Sequence, residues 1–314
     1  MSKIVCVVPT IRPDRMAEFK TAWEPLFRKH GVTLITVWDG DRPEVECSDD
    51  SAGRYPADAL LDDPSQKQLF YRYTDSVRNY GFVAAAKRKP DYVLTLDDDC
   101  LPRVYEHDPI RAHVDTLNRR CSLHWMNTAQ GDLYLRGVPY GCRADSPVML
   151  SHGVWVGTPD FDGETQLGLE NNGGVPRNLN YYNGPVPYGT LFPLCGMNVM
   201  VRREALPYLY YAPMGPDTGI PGLNRFGDIW MGMMIKRLFD GRGWACWTGA
   251  SFVLHSRASD AKKNEEQERL GRAWNEVMWR TTVRREDPVF TDYMIKYTDN
   301  TRAYRDLITL NLNR

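Results

Sequence analysis

Three consecutive carboxylates, Asp97, Asp98 and Asp99, close the apolar stretch Asp91-Tyr-Val-Leu-Thr-Leu96 and lead into Cys100-Leu-Pro102. Like charges within a few ångströms raise one another's pKa, so such a triad is costly unless a cation neutralises it. In extended chain alternate side chains share a side, which lets Asp97 and Asp99 converge on one ion while Asp98 points elsewhere. Oxygen ligation favours Mg²⁺ or Mn²⁺ over zinc, and such ions keep positions open for phosphate oxygens. The ligand implied is a nucleoside diphosphate. The competing reading is a solvated acidic turn, because charge runs usually face water. Position favours the metal: open α/β sheets bind ligands at the carboxyl ends of their parallel strands.

Two other polar turns must then share that edge. Lys3 to Val8 reads as a buried strand running into Thr10-Ile-Arg12, and Val32 to Trp38 as a second strand running into Asp39-Gly-Asp41. Between them Phe19, Trp23, Leu26 and Phe27 fall at i, i+4, i+7 and i+8, one face of a helix. Pro25 should kink or shorten that helix, and Gly31 ends it. Residues 42–68, rich in Asp, Pro and Ser, read as a long surface excursion, and Asp75 to Lys89 as a helix. This alternation predicts βα units around a mixed, mainly parallel sheet.

Beyond about 105 a helical stretch spans 108–120. A Gly-, Pro- and aromatic-rich texture then continues to about 225, with Asn171-Asn-Gly-Gly174 as a mobile loop. It reads as the second lobe of a cleft. Asp228 to Phe239 is helical through Trp230, Met233, Met234 and Ile235; Trp244 to His255 is one or two strands. The charged run from Asp260 to Arg269 opens a helical C-terminal extension carrying Trp274, Met278 and Trp279.

Composition narrows the function. The 314 residues are 42% hydrophobic, and 39 Lys plus Arg offset 40 Asp plus Glu. Disorder is excluded as the main description, and no electrostatic footprint for wrapping nucleic acid or adhering to anionic membrane is present. The apolar stretch Ile4 to Val8 stops at Pro9, too short for a signal-peptide core, and no 18-residue apolar run follows, so a cytoplasmic protein is expected. Seven cysteines without a C-x-x-C pair argue against a disulfide framework or a structural zinc.

A wider ordered set of segments carries a resemblance. They are Val8-Pro-Thr-Ile-Arg12, Trp23-Glu-Pro-Leu-Phe27, Asp39-Gly-Asp41, Asp75-Ser76, Asp97-Asp-Asp-Cys100 and Arg143. The set continues with Ser151-His-Gly-Val-Trp155, Pro159-Asp-Phe-Asp162 with Thr165-Gln-Leu167, Gly189 to Asn198, Asp228-Ile-Trp230 and His255-Ser-Arg-Ala-Ser259. From about residue 3 to 259 the chain resembles the reversibly glycosylated polypeptides, the UDP-arabinopyranose mutase family of plants.

That resemblance implies a Rossmann-like α/β fold of the family A glycosyltransferase type. Residues 1–105 would form the nucleotide-binding half, 106–259 the sugar- and acceptor-binding half, and 260–314 a helical extension whose Trp274, Met278 and Trp279 suit packing on the parent domain as well as a partner in a homo- or hetero-oligomer. The resemblance also implies a UDP-sugar substrate, with Mn²⁺ or Mg²⁺ on its diphosphate held by Asp97 and Asp99 and contacted by His255. Taken alone, His255 reads as a hydrogen-bonded histidine at a strand end. Thr10, Arg12 and Asp39 would border uridine and ribose, with Asp41, Asp75 and Asp98 also counted as nucleotide contacts, and Asn198 would read sugar hydroxyls.

Arg143, within Tyr140-Gly-Cys-Arg-Ala-Asp145, matches the arginine that becomes glycosylated in the plant proteins. A guanidinium stays protonated, so its chemistry alone points to a clamp on diphosphate or sugar, and both roles stay open beside a surface salt bridge. Asp228 and Asp162 are candidates for moving a hydroxyl proton. Two positions depart from the plant pattern. Gly227 stands where that pattern has a second Asp, and Thr74 where it has Lys.

Adjacent Ser151 and His152 point apart in extended chain and make a poor nucleophile and base pair. Trp155, Tyr181, Tyr182 and Tyr188 could stack on sugar or uracil, although aromatics usually pack in cores. The activity expected is interconversion of UDP-arabinopyranose and UDP-arabinofuranose. The alternatives are transfer of the UDP-sugar to an external acceptor and a non-catalytic nucleotide-sugar-binding subunit.

Overall fold

The computed structural model describes residues 2–102, 107–125, 134–174, 180–256, 260–281 and 288–314. It is an α/β protein around one mixed sheet. Strand β1 (Ile4–Thr10) leads to helix α1 (Pro13–His30), then β2 (Val32–Trp38), β3 (Glu44–Cys47) and β4 (Arg54–Pro56). Helix α2 (Arg78–Lys87), β5 (Tyr92–Leu96), β6 (Cys100–Pro102), α3 (Pro109–Leu117), β7 (Arg120–Cys121) and β8 (Ser146–Gly157) follow. The chain finishes with α4 (Gly163–Asn171), β9 (Gly184–Pro185), β10 (Asn198–Arg202), α5 (Gly227–Asp240), β11 (Ala245–His255), α6 (Ala261–Thr281) and α7 (Pro288–Asn313). Along the main path the strand order is β4-β3-β2-β1-β5-β10-β8-β11-β6, with β7 on β8 and β9 on β11.

The pairs β1–β2, β1–β5 and β8–β11 are parallel and include the two longest registers. Antiparallel pairing joins β5 to β10 and β10 to β8, so one sheet runs through both expected halves. Period-two alternation sets the layers. In β1, Val5 and Val7 enter the core under α2, α5 and α7, while Ile4, Cys6 and Val8 enter the core under α1 and α3.

Pro25 does not break α1. Losing a helical hydrogen bond and accommodating the ring costs about 3 kcal/mol. Burial of Met16, Phe19, Trp23 and Phe27 offsets this at roughly 1.5–3 kcal/mol per side chain. The Trp23 and Phe27 rings stack across the proline, with centroids 5.4 Å apart.

Two other expectations are revised. The excursion after Asp41 contains β3 and β4, which extend the sheet beyond β2. Asn171 is the last residue of α4 rather than part of a loop. The C-terminal region is helical, and Tyr293, Tyr297, Tyr304, Leu307 and Ile308 of α7 are buried in the main core. Among the described residues no helix is long and apolar enough to cross a membrane.

Candidate active site

The carboxyl ends of β1, β2, β5, β8 and β11 open on one edge. After Leu96 the chain passes through Asp97, Asp98 and Asp99, then re-enters the sheet as β6, antiparallel to β11 with Cys100 opposite His255. That register sets Asp99 beside His255, with Asp99 Oδ1 3.7 Å from Nε2. Trp23 Nε1 donates to the Cys100 carbonyl at 2.8 Å and anchors the turn to α1. A cleft of about 220 Å³ opens here, lined by Arg12, Asp97, Asp99, Asp160, Arg225 and His255 among others.

Each carboxylate of the triad has its own partners. Asp98 is 3% exposed and points away from the cleft. It accepts from Thr10 Oγ1 at 2.5 Å and from Arg12 Nε at 3.1 Å, with a further contact from Arg12 Nη2. Asp98 therefore aims Arg12 and is not itself a nucleotide contact; Thr10 spends its hydroxyl on the same task. Asp97 accepts from Arg78 Nη2 at 2.7 Å. Arg78 is buried and also donates to Thr95 Oγ1 and to the carbonyls of Gly196 and Asp75. Asp99 is 3.3 Å from Arg12 Nη2, and burial together with the Asp97 charge pushes its pKa up.

His255 Nδ1 lies 2.7 Å from the Thr158 carbonyl, which can only accept, so Nδ1 donates there and Nε2 is the ring nitrogen turned toward Asp99. A backbone carbonyl on the far ring nitrogen is the usual support of a metal-binding histidine. This donor set fits a Mg²⁺ or Mn²⁺ ion, which needs only one or two protein carboxylates when a diphosphate completes its shell. Among the described residues no group of three or more His, Cys, Asp or Glu is spaced to hold a metal unaided.

At the neighbouring strand end Asp39 accepts from its neighbour Gly40 N at 2.8 Å, and burial raises its pKa. Asp41 accepts from Tyr73 Oη at 2.5 Å. Behind Asp97, Asp75 and Asp228 meet. Asp228 N donates to Asp75 Oδ2 at 3.2 Å, and Asp228 Oδ2 accepts from Gly196 N at 2.8 Å. Burial and then the Asp75 charge drive the Asp228 carboxyl well above the usual range.

With this geometry in place, the comparisons identify the lineage. The family model for reversibly glycosylated polypeptides matches residues 1–284. The chain belongs to that family. It is 32% identical over 288 residues to UDP-arabinopyranose mutase 3 of Arabidopsis thaliana, covering 86% of this chain and 75% of the relative. It is also 32% identical over 288 residues to probable UDP-arabinopyranose mutase 1 of Pisum sativum, with 86% and 74% covered. A solved glycosyltransferase involved in glycosylation of the major capsid of PBCV-1 aligns over 85% of this chain and 99% of its own. Its TM-score is 0.38 and its identity 10%, a likeness too slight to carry weight.

In this member of the reversibly glycosylated polypeptides Arg143 stands apart from the cleft. It precedes Ser146, the first residue of β8, whereas the cleft adjoins Gly157, the last. Twelve residues at roughly 3.3 Å each separate those ends by on the order of 30 Å. The Arg143 guanidinium lies over the Tyr140 ring, 4.0 Å from its centroid, and donates to the Val138 carbonyl at 3.4 Å. Arg12, not Arg143, is the arginine of this pair that lines the cleft. Arg143→Ala is expected to leave UDP affinity, measured by calorimetry, within about twofold of the native protein, because the change removes no cleft contact.

Asn198 is 1% exposed, with Oδ1 2.8 Å from His113 Nε2 and Nδ2 donating to the Val154 carbonyl. Its amide is spent in the core and cannot read sugar hydroxyls. Asp162 caps α4 by accepting from Thr165 N and Oγ1, which holds its pKa down and leaves it ionised. Its neighbour Asp160 faces the cleft instead. Ser151 Oγ pairs with His113, while His152 pairs with Thr248 and is driven to a pKa of about 3 by burial. Trp155 is buried, whereas Tyr182 and Tyr188 are exposed. The last three residues of the 255–259 motif lie outside the described residues.

Of the two departures, Thr74 shares a 2.5 Å hydrogen bond with Ser76. At Gly227 a Cβ would sit 2.6 Å from Asp75 Oδ1. Gly227→Ala is accordingly expected to cost about 1–3 kcal/mol, read as a lower urea midpoint. Sequence reasoning missed Arg78, Asp160 and Arg225. Arg78 stood within the Asp75 helix pattern, but only the fold shows that it reaches Asp97.

Proposed function

We propose that this protein interconverts the pyranose and furanose forms of a UDP-pentose, as the names of its mutase relatives indicate for UDP-arabinose. The observation that carries this reading is the convergence of Arg12, Asp99 and His255 on one cleft at the carboxyl edge of the sheet. Asp99 and His255, with Asp97 facing the same space, would hold a divalent ion. Such an ion supplies positive charge opposite a diphosphate and so lowers the cost of its departure.

The chain's own residues supply the rest. Arg12, aimed by Asp98, sets a guanidinium against the departing diphosphate. The bond from C1 to the diphosphate oxygen breaks with its electron pair on that oxygen. O4 then bonds to C1 as O5 leaves C1 and takes the proton of the Asp228 carboxyl, O4 returns its own proton to that carboxylate, and the diphosphate oxygen returns to C1. Atoms and charge balance. Asp228, whose carboxyl burial and the Asp75 charge push well above the usual range, serves as the group that gives and retakes the proton.

Incubating the protein with UDP-arabinopyranose and Mn²⁺, without acceptor, tests this reading by NMR. Appearance of the furanose isomer is expected. Substrate that is unchanged alone but consumed once an acceptor is added would replace the mutase with a transferase.

A further inference from the structure

Arg225 combines three features that its surroundings do not require. It lies immediately before Phe226 and Gly227, where α5 begins, yet its own φ is 65°, in the left-handed region that a β-carbon disfavours. Backbone held in such a conformation away from glycine concentrates at ligand sites. Its Nε is buried without a hydrogen-bond partner. It forms an ion pair with Glu268 Oε1 at 3.6 Å, beyond hydrogen-bond distance, and Glu268 Oε2 accepts from Gly163 N at 2.6 Å. Finally, Arg225 lines the same cleft as Arg12, Asp99 and His255.

The α6 helix fixes where this guanidinium points. Arg225 Nη1 donates to Asn264 Oδ1 at 2.8 Å and reaches Gln267 Oε1 at 3.5 Å. Asn264 lines the cleft as well. Gly163 of α4 is packed so tightly on α6 that a Cβ there would lie 2.5 Å from Glu265 Cα. The first turns of α6 are thereby seated on the rim of the cleft.

We propose that Arg225 is an anion-binding residue of this cleft, aimed by Asn264 and Gln267 of α6, and that it takes a phosphoryl oxygen of the substrate's diphosphate on the side away from Asp98. This assignment rests on reading the cleft as the nucleotide-sugar site. A guanidinium provides the planar fork that phosphate oxygens match, which an ammonium lacks. It also makes α6 a working wall of the cleft.

Calorimetry of the full chain with UDP, inorganic pyrophosphate and uridine, in the presence of Mn²⁺, provides the test. Arg225→Gly should weaken UDP and pyrophosphate by about 10- to 100-fold, the range expected for a lost charge-assisted hydrogen bond, while leaving uridine unchanged. Glycine is at ease at this φ, so the thermal midpoint should not fall on account of the backbone. Arg225→Lys, which keeps the charge and the stem, should show a smaller loss in the same two ligands. UDP affinity within twofold of native in both variants, or an equal loss for uridine, would overturn the assignment. Native protein that binds pyrophosphate through Arg225 but ignores UDP would uphold the anion site and remove the nucleotide reading; native protein that binds neither ligand removes both.

Discussion

Asp99→Asn is expected to yield a folded protein that no longer binds UDP in a Mn²⁺-dependent manner. Asn keeps the shape and one acceptor but loses the charge, and Asp99 is the carboxylate that faces His255 Nε2. Even supporting residues around a bound metal cost 10- to 100-fold in affinity when altered, so if Asp99 is a direct ligand, as proposed, its loss should cost on the order of 100-fold or more. Folding should not suffer in parallel. Burial and the Asp97 charge raise the Asp99 pKa in the folded state. The native protein therefore loses stability as pH rises from the ordinary carboxylate range through that raised value, and Asn has no charge to bury. The signature is a variant without Mn²⁺-linked UDP affinity whose urea midpoint at neutral pH matches or exceeds the native one. Unchanged Mn²⁺-linked affinity would remove Asp99 from the site.

The features legible in the sequence were those encoded locally. Phe19, Trp23 and Phe27 reveal the buried face of α1 by spacing alone, and the apolar run to Leu96 places the triad at a strand end. Partners depend instead on contacts between distant segments. Thr10 reaches Asp98 across 88 positions and Arg12 reaches it across 86, so nothing local distinguishes Asp98, which serves Arg12, from Asp99, which serves the cleft. Asn198 looked like a polar reader until His113, 85 positions away, took up its carbonyl oxygen. Arg143 was misplaced for a topological reason: its motif is recognisable, but only the direction and length of β8 show that it opens on the opposite edge. Arg225 gives no signal in composition or spacing, because a left-handed backbone at a non-glycine residue is a property of the fold.

Asp228→Asn should separate chemistry from binding. The residue sits in the first turn of α5, with Oδ2 bonded to Gly196 N and Oδ1 to Ile229 N. Those bonds favour the ionised form, as does the Arg78 charge, yet burial and the adjacent Asp75 outweigh them and raise the carboxyl's pKa well above the usual range. A carboxylic acid poised in this way contributes about 10²- to 10⁴-fold when it moves a proton in the rate-limiting step. Turnover in Asp228→Asn should fall by that factor, while UDP affinity stays within about threefold because the cleft residues Arg12, Asp99 and His255 are untouched. In the native protein turnover should decline as pH rises through the raised pKa, when the proton is lost; the variant's residual turnover should lack that limb. Stability follows the same sign. A raised folded-state pKa stabilises the native protein fully below the ordinary carboxylate range, and that contribution is lost as pH climbs through the folded value. The urea midpoint of Asp228→Asn should therefore gain on the native one as pH rises from the ordinary carboxylate range through that raised value. A turnover loss matched by an equal loss of UDP affinity would make Asp228 a scaffold for Gly196 and Asp75, and its role as the proton carrier would fall.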